Sequence, residues 1–231
     1  MKNKSIEKVL GHCNRVIPQI ANAADGGDVL DIEIKNTLEN LRSCLEYVAH
    51  NIASSLQKIH NYDKFPQRIN FPYGDSQRQF KKSIKSNLPD LGVHLPEVFR
   101  AIEQRQKFTC GDNWLSEFCR LTNFAKHKDL HEVDTHKSFK IDMPALGVIQ
   151  GRRGGGKGRV SIQGVRINGI EQDDIKIDSD GSIQITKKAG RTKVTLGKTI
   201  FFQGKEIPIP IFLQECLNNV EALVIEIESH L

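Results

Sequence analysis

Apolar residues recur with a helical period through the first two thirds of the chain and with a period of two through most of the rest. Ile6, Val9, Leu10, Cys13, Val16, Ile17 and Ile20 fall on one side of a helix drawn over residues 5–22. Pro18 inside it has no amide hydrogen and crowds the preceding turn, so a kink or an early stop is expected. Ala24-Asp25-Gly26-Gly27-Asp28 reads as a turn. A stripe of Leu30, Ile34, Leu38, Leu41, Leu45, Val48, Ala49, Ile52 and Leu56 then marks one long amphipathic helix over 29–60. Pro66, Pro72 and Gly74 break the pattern at 61–75, where Ile69-Asn70-Phe71-Pro72 reads as extended chain. Helical patterns return at 76–87, at 95–107 after Pro96, and at 113–130. Asp112 or Asn113 is placed to cap the last of these, with Glu117 completing a capping box.

Past residue 137 the rhythm alternates. Phe139/Ile141, Val160/Ile162, Val165/Ile167, Ile175/Ile177, Ile183/Ile185, Val194/Leu196 and Ile200/Phe202 predict short antiparallel strands with polar outer faces. Asp180-Gly181 predicts a hairpin turn between Ile177 and Ile183. Pro208 and Pro210 lead into a closing helix over 211–229, with Leu213, Leu217, Val220, Leu223, Val224 and Ile227 on its apolar face. The expected fold class is α+β. A helical domain over 1–136 precedes an antiparallel sheet region with a closing C-terminal helix over 137–231.

Composition changes this picture little. The 231 residues suffice for a sizeable core, and 38% hydrophobic with 26% charged residues is ordinary for a globular protein. A formal net charge of +5 permits a polyanionic partner without requiring one. No run of 18 apolar residues is present, so no membrane span is expected. Met1 to Glu7 lacks the apolar stretch of a secretory leader. Five scattered cysteines, Cys13, Cys44, Cys110, Cys119 and Cys216, fit a reduced, cytoplasmic setting.

The densest chemistry lies in Arg120-Leu121-Thr122-Asn123-Phe124-Ala125-Lys126-His127. On a helix, Arg120, Asn123 and His127 fall within an arc of about 60°. A guanidinium, a carboxamide and an imidazole on one face can bind a phosphate and move a proton near neutral pH. On the long helix Arg42, Glu46 and His50 stand four apart and share a face, which supplies a supporting polar network. Two readings stay open at this point. Arg120, Asn123 and His127 line a catalytic face, or they hydrogen-bond to Arg42 and Glu46 and only fix helix register.

Three strings carry a resemblance: Leu41-Arg42-Ser43-Cys44-Leu45-Glu46, then Asn70-Phe71-Pro72, then Asn123-Phe124-Ala125-Lys126-His127. Over roughly residues 30–135 they resemble a set of uncharacterised bacterial and phage proteins with L-R-S-x-L-[DE] and N-x-x-K-H strings. The layout is also similar to the HEPN superfamily of helical domains, whose active members carry R-x(4–6)-H. Arg120 and His127 match its longest spacing, with Leu121 where active members place Asn or Asp. The resemblance implies an RNA-binding protein and a metal-independent endoribonuclease in bacterial or phage conflict, acting as a homodimer with paired motifs. In it His127 moves the proton of an RNA 2′-OH, Arg120 stabilises the phosphorane-like state, and Asn123 or Lys126 orients the phosphate. The alternative is a non-catalytic dimerising module that binds a protein partner or nucleic acid.

Other motifs count for less. His127, His131 and His136 with Asp129 and Asp134 read as a solvated helix end, so no metal and no other cofactor is expected. Gly151-Arg152-Arg153-Gly154-Gly155-Gly156-Lys157-Gly158 misses the Ser or Thr of a P-loop and precedes a strand, which excludes nucleotide hydrolysis. Its Arg152, Arg153 and Lys157, with Arg159, instead read as a basic hairpin tip, which either contacts phosphate or is only a solvated, mobile loop. Lys187, Lys188, Arg191, Lys193 and Lys198 form a second basic run without an acid.

Overall fold

The computed structural model describes residues 4–26, 28–59, 65–144, 146–152, 158–179, 182–188, 191–202 and 207–231, except 128–132; the side chains of 125–127, 133–135 and 152 lie outside the description. The fold is α+β. Helices α1 (Lys4–Gly26), α2 (Asp31–Ile59), α3 (Gln77–Asn87), α4 (Leu91–His94), α5 (Pro96–Glu103), α6 (Lys107–Cys110) and α7 (Trp114–His127) come first. Strands β1 (Val133–Met143), β2 (Gly147–Arg152), β3 (Val160–Ile162), β4 (Arg166–Ile167), β5 (Ile170–Glu171), β6 (Asp174–Ile177), β7 (Ile183–Thr186) and β8 (Lys193–Phe202) follow, and α8 (Ile209–Glu228) closes the order.

Two compact units interleave along the chain. Met1–Pro18, Asp31–His131 and Pro210–Leu231 form a helical unit, while Gln19–Leu30 and Glu132–Ile209 form a sheet unit. A linear division after residue 136 therefore separates α8 from the helices with which it groups. In the helical unit the stripe of α2 is buried as the period requires, from Ile34 through Leu38, Leu41, Leu45 and Ile52 to Leu56. Helix α1 runs unbroken through Pro18 to Gly26, longer than its sequence suggests. Ile17 and Ile20 are both buried beside that proline, and their packing outweighs the single hydrogen bond it omits.

Helix α3 starts at Ser76, whose hydroxyl accepts from the Gln79 amide at 3.4 Å. Helix α7 starts where its sequence predicts. Asp112 Oδ1 accepts from the Trp114 amide at 2.9 Å. The Glu117 carboxylate accepts from the Asn113 carboxamide at 3.5 Å.

The sheet unit holds a three-stranded sheet ordered β2-β1-β8, a second ordered β3-β6-β7, and the small pair β4-β5, all antiparallel. Phe139, Ile141 and Met143 of the first sheet share one core with Ile175 and Ile177 of the second, joined by Ile149, Ile162, Ile183 and Ile185. The paired rhythms of 194–196 and 200–202 merge into one ten-residue strand, β8. Strand β2 has no alternation strong enough to announce it. Gly151 faces Phe139 across the register, and an added Cβ would lie 2.7 Å from that ring. The ring thus covers the missing side chain, an arrangement that lets glycine sit in a strand. The expected hairpin turn at Asp180-Gly181 lies outside the described residues.

Gly197 of β8 is a second close approach, because a Cβ there would meet the Asp25 carbonyl oxygen at 2.3 Å. Gly197→Ala is expected to destabilise the protein by about 1–3 kcal/mol, as overpacking against backbone does. Gly158→Ala, which meets nothing within 4 Å, is expected to stay within about 0.5 kcal/mol of the parent, both variants being compared by denaturant titration.

Candidate functional site

Helix α7 has a wet side and a dry side. Phe118, Cys119 and Thr122 are buried, with the Thr122 hydroxyl returned to the Phe118 carbonyl at 2.8 Å. Arg120 and Asn123 are exposed. No hydrogen bond or ion pair joins Arg120 to another of the described residues. The backbone of His127 continues the helix; its side chain and that of Lys126 lie outside the description.

Behind this face lies a polar cluster that ties three elements together. The Arg42 guanidinium, largely withdrawn from water, pairs with Glu46 one turn along α2 at 2.6 Å. It also donates to the Cys119 sulfur of α7 and lies 5.3 Å from the centre of the Tyr73 ring. Glu46 turns its other oxygen to the amide of Phe71, at 2.8 Å. Three residues on, the Gly74 amide donates to the buried carboxamide of Gln106 at 3.1 Å. Gly74 has no room for a side chain, since a Cβ would lie 2.5 Å from the Phe80 amide nitrogen. The Phe71-Pro72-Tyr73-Gly74 loop is therefore held by α2 at one end and by Gln106 at the other.

Tyr73 connects this cluster to the exposed face. Its ring lies against Arg42, and its hydroxyl hydrogen-bonds to the Asn123 side chain. Burial pushes the Tyr73 phenol above its ordinary range, so it stays protonated at neutral pH. Burial likewise raises the Cys119 thiol to about 12, and Arg42 only partly opposes the rise. Cys119 is accordingly a neutral acceptor here and not a nucleophile.

Arg42 and Glu46 form the expected pair, but His50 does not join them. Each step of four residues overshoots a turn by about 40°, which carries His50 round to solvent. Asn123 reaches Tyr73 rather than Arg42 or Glu46. Tyr73 belongs to no motif of the sequence, although it directly follows the Phe71-Pro72 pair that marks the loop.

The basic stretches of the sheet unit are also more nearly neutral than their sequence. Arg159 lies 3.5 Å from Asp178. Lys188 reaches Asp174 at 3.1 Å and Glu171 at 3.9 Å, and Lys187 lies 3.8 Å from the buried Asp173. The second run is acid-free along the chain but not in space, because β-pairing brings residues 171–178 beside it. The side chains of Arg152, Arg153 and Lys157 lie outside the description. Among the described residues, no three His, Cys, Asp or Glu side chains are placed to hold a metal ion. No described helix is long and apolar enough to cross a membrane.

Compared with protein-family models, with curated proteins and with solved structures, the chain finds no match.

Removing Arg42 leaves Glu46 facing an interface built for a cation. Arg42→Met is expected to lower stability by about 2–4 kcal/mol in chemical denaturation, near the cost of breaking a buried pair from one side. An unchanged midpoint would show that the cluster carries no weight. Thiol reactivity gives a second check. At pH 8 an aromatic disulfide reagent is expected to label Cys110 alone in the native protein, because Cys13, Cys44, Cys119 and Cys216 are buried with raised thiol pKa. All five should react once denaturant is added.

Proposed function

We propose that the chain is an RNA-binding protein of the HEPN type whose α7 face grips a phosphodiester and cleaves it without a metal ion. The single observation that carries this reading is the exposed Arg120, without an ion pair to any described residue, on the helix that also presents Asn123 and ends at His127. A buried or paired Arg120 would have made it a register-fixing residue. Arg42 fills that structural role instead.

The chemistry follows from these groups. The neutral imidazole of His127 takes the proton of a 2′-OH, whose oxygen then attacks the adjacent phosphorus. Charge gathers on the non-bridging phosphate oxygens, where the Arg120 fork donates to them. The 5′-oxygen leaves as the alcohol, protonated by the imidazolium just formed or by water, and a 2′,3′-cyclic phosphate remains. Asn123 orients the phosphate through a carboxamide N–H, the end that can donate to phosphate oxygens. In this reading two copies of the chain pair so that their motifs face one another, and the activity serves conflict between bacteria and phage.

Single-stranded RNA incubated with the protein in excess chelator tests the proposal. Arg120→Ala and His127→Ala should each slow cleavage by about 10²–10⁴-fold with an unchanged melting temperature. Arg120→Ala should also lower the slope of log affinity against log salt by about 0.7–1, the loss of one phosphate contact. Full cleavage by both variants, or a wild-type affinity with no salt slope, would overturn it.

A further inference from the structure

The helical unit carries a second feature, away from Arg120 and independent of the RNA reading. Helices α1 and α8 leave between them a groove of about 290 Å³. Its floor is apolar and buried: Ile6 and Leu10 from α1, Leu217 and Val224 from α8. Its lip adds Ile225, which is 62% exposed. Its charged lining is all acidic, from Glu7, Glu221 and Glu228. This stands against a chain of net charge +5, and α8 itself has four glutamates with no lysine or arginine.

Gly11 points to an occupant. It lies inside a 23-residue helix, where glycine is among the poorest formers. Packing within the unit does not call for it, since a Cβ there would meet only the tip of Arg15, at 3.8 Å. Its φ is ordinary for a helix, so conformation does not call for it either. What the glycine does provide is a notch in the groove wall. The volume is too small for a whole helix and near the lower end, about 300 Å³, of pockets that hold small ligands. It suits one large aliphatic side chain entering as an anchor.

We propose that this groove docks a segment of a partner protein that presents one large aliphatic residue flanked by lysine or arginine. The aliphatic side chain enters beside Gly11, lies over the floor of Leu10, Leu217 and Val224, and removes the exposed Ile225 of the lip from water. The flanking cations meet Glu7 and Glu221, both exposed on the rim. Such an arrangement gains affinity from the anchor, while charge selects the partner and speeds encounter.

The test uses the full chain and a labelled amphipathic peptide of leucine and lysine, with its leucine–glutamate counterpart as control, in an anisotropy titration. The lysine peptide is expected to bind, and to bind at least tenfold more tightly than the glutamate peptide at low salt. Gly11→Leu should weaken that binding at least tenfold while the melting temperature holds or rises. The double variant Glu7→Gln, Glu221→Gln changes only exposed residues, and should flatten the salt dependence even if Gly11→Leu disturbs the helix. Four results would overturn the proposal: no binding at about 1 mM peptide, equal affinity for the two peptides, equal affinity in all variants, or self-association of the chain that Gly11→Leu abolishes. The last would make a second copy the occupant.

Discussion

The helical unit depends on a guanidinium kept from water. Arg42 has five N–H donors and only 11% of its side-chain surface exposed, so the elements around it must supply acceptors. Glu46 gives a carboxylate, Cys119 a sulfur and Tyr73 a ring face. Each comes from a different piece of chain, α2 itself, α7 and the 71–74 loop. A shift of α7 along α2 by one residue would take Cys119 away and leave donors bare. Glu46 extends the constraint, since its second oxygen holds the Phe71 amide. A pair like this adds less stability than its short distance suggests, because desolvation offsets much of the attraction. What it fixes is register. Among the described residues no fully buried side-chain nitrogen or oxygen lacks a partner.

The sheet unit contains a comparable centre with the charges reversed. Asp173 is buried and accepts from the amides of Lys188 at 2.7 Å and Thr192 at 3.0 Å, with Lys187 nearby. The Lys187 ammonium in turn donates to the Thr192 carbonyl at 2.6 Å. One carboxylate thereby organises the connection from β7 to β8. It also explains why lysines that look free along the chain are engaged in the fold. The electrostatic surface of this unit consequently has less to offer a phosphate backbone than a count of its cations implies, and the case for RNA contact rests more on α7.

How much of this is legible in the sequence differs by element. Long helices announce themselves because each apolar residue on the stripe reports the same period, and α2 shows that over its whole length. Strand β2 is silent, since Gly147 and Gly151 contribute no alternation. The Phe139 ring that covers Gly151 reaches it only once β1 and β2 have paired. Arg42 and Glu46 are readable as neighbours four apart. That Cys119 and Tyr73 complete their set is not, because those partners lie far along the chain, Cys119 by 77 positions, and no local rule reaches so far. The acid-free basic run misleads for the same reason: ion pairing follows strand register and not sequence order.

Tyr73 finally explains how a rigid interior can serve an exposed face. Its ring rests against Arg42 and its oxygen shares a hydrogen bond with Asn123, which links the exposed carboxamide to the buried cluster. Asn123 is thereby tied to Tyr73 while still exposed, one turn from an exposed Arg120 that pairs with none of the described residues. A site needs both properties. Under the proposed RNA reading, the held Asn123 defines where a phosphate sits and the long Arg120 side chain closes on it afterwards. Had Arg120 taken part in the buried cluster, α7 would have gained a register lock that Arg42 already supplies, and lost the only unpaired guanidinium that this face presents among the described residues.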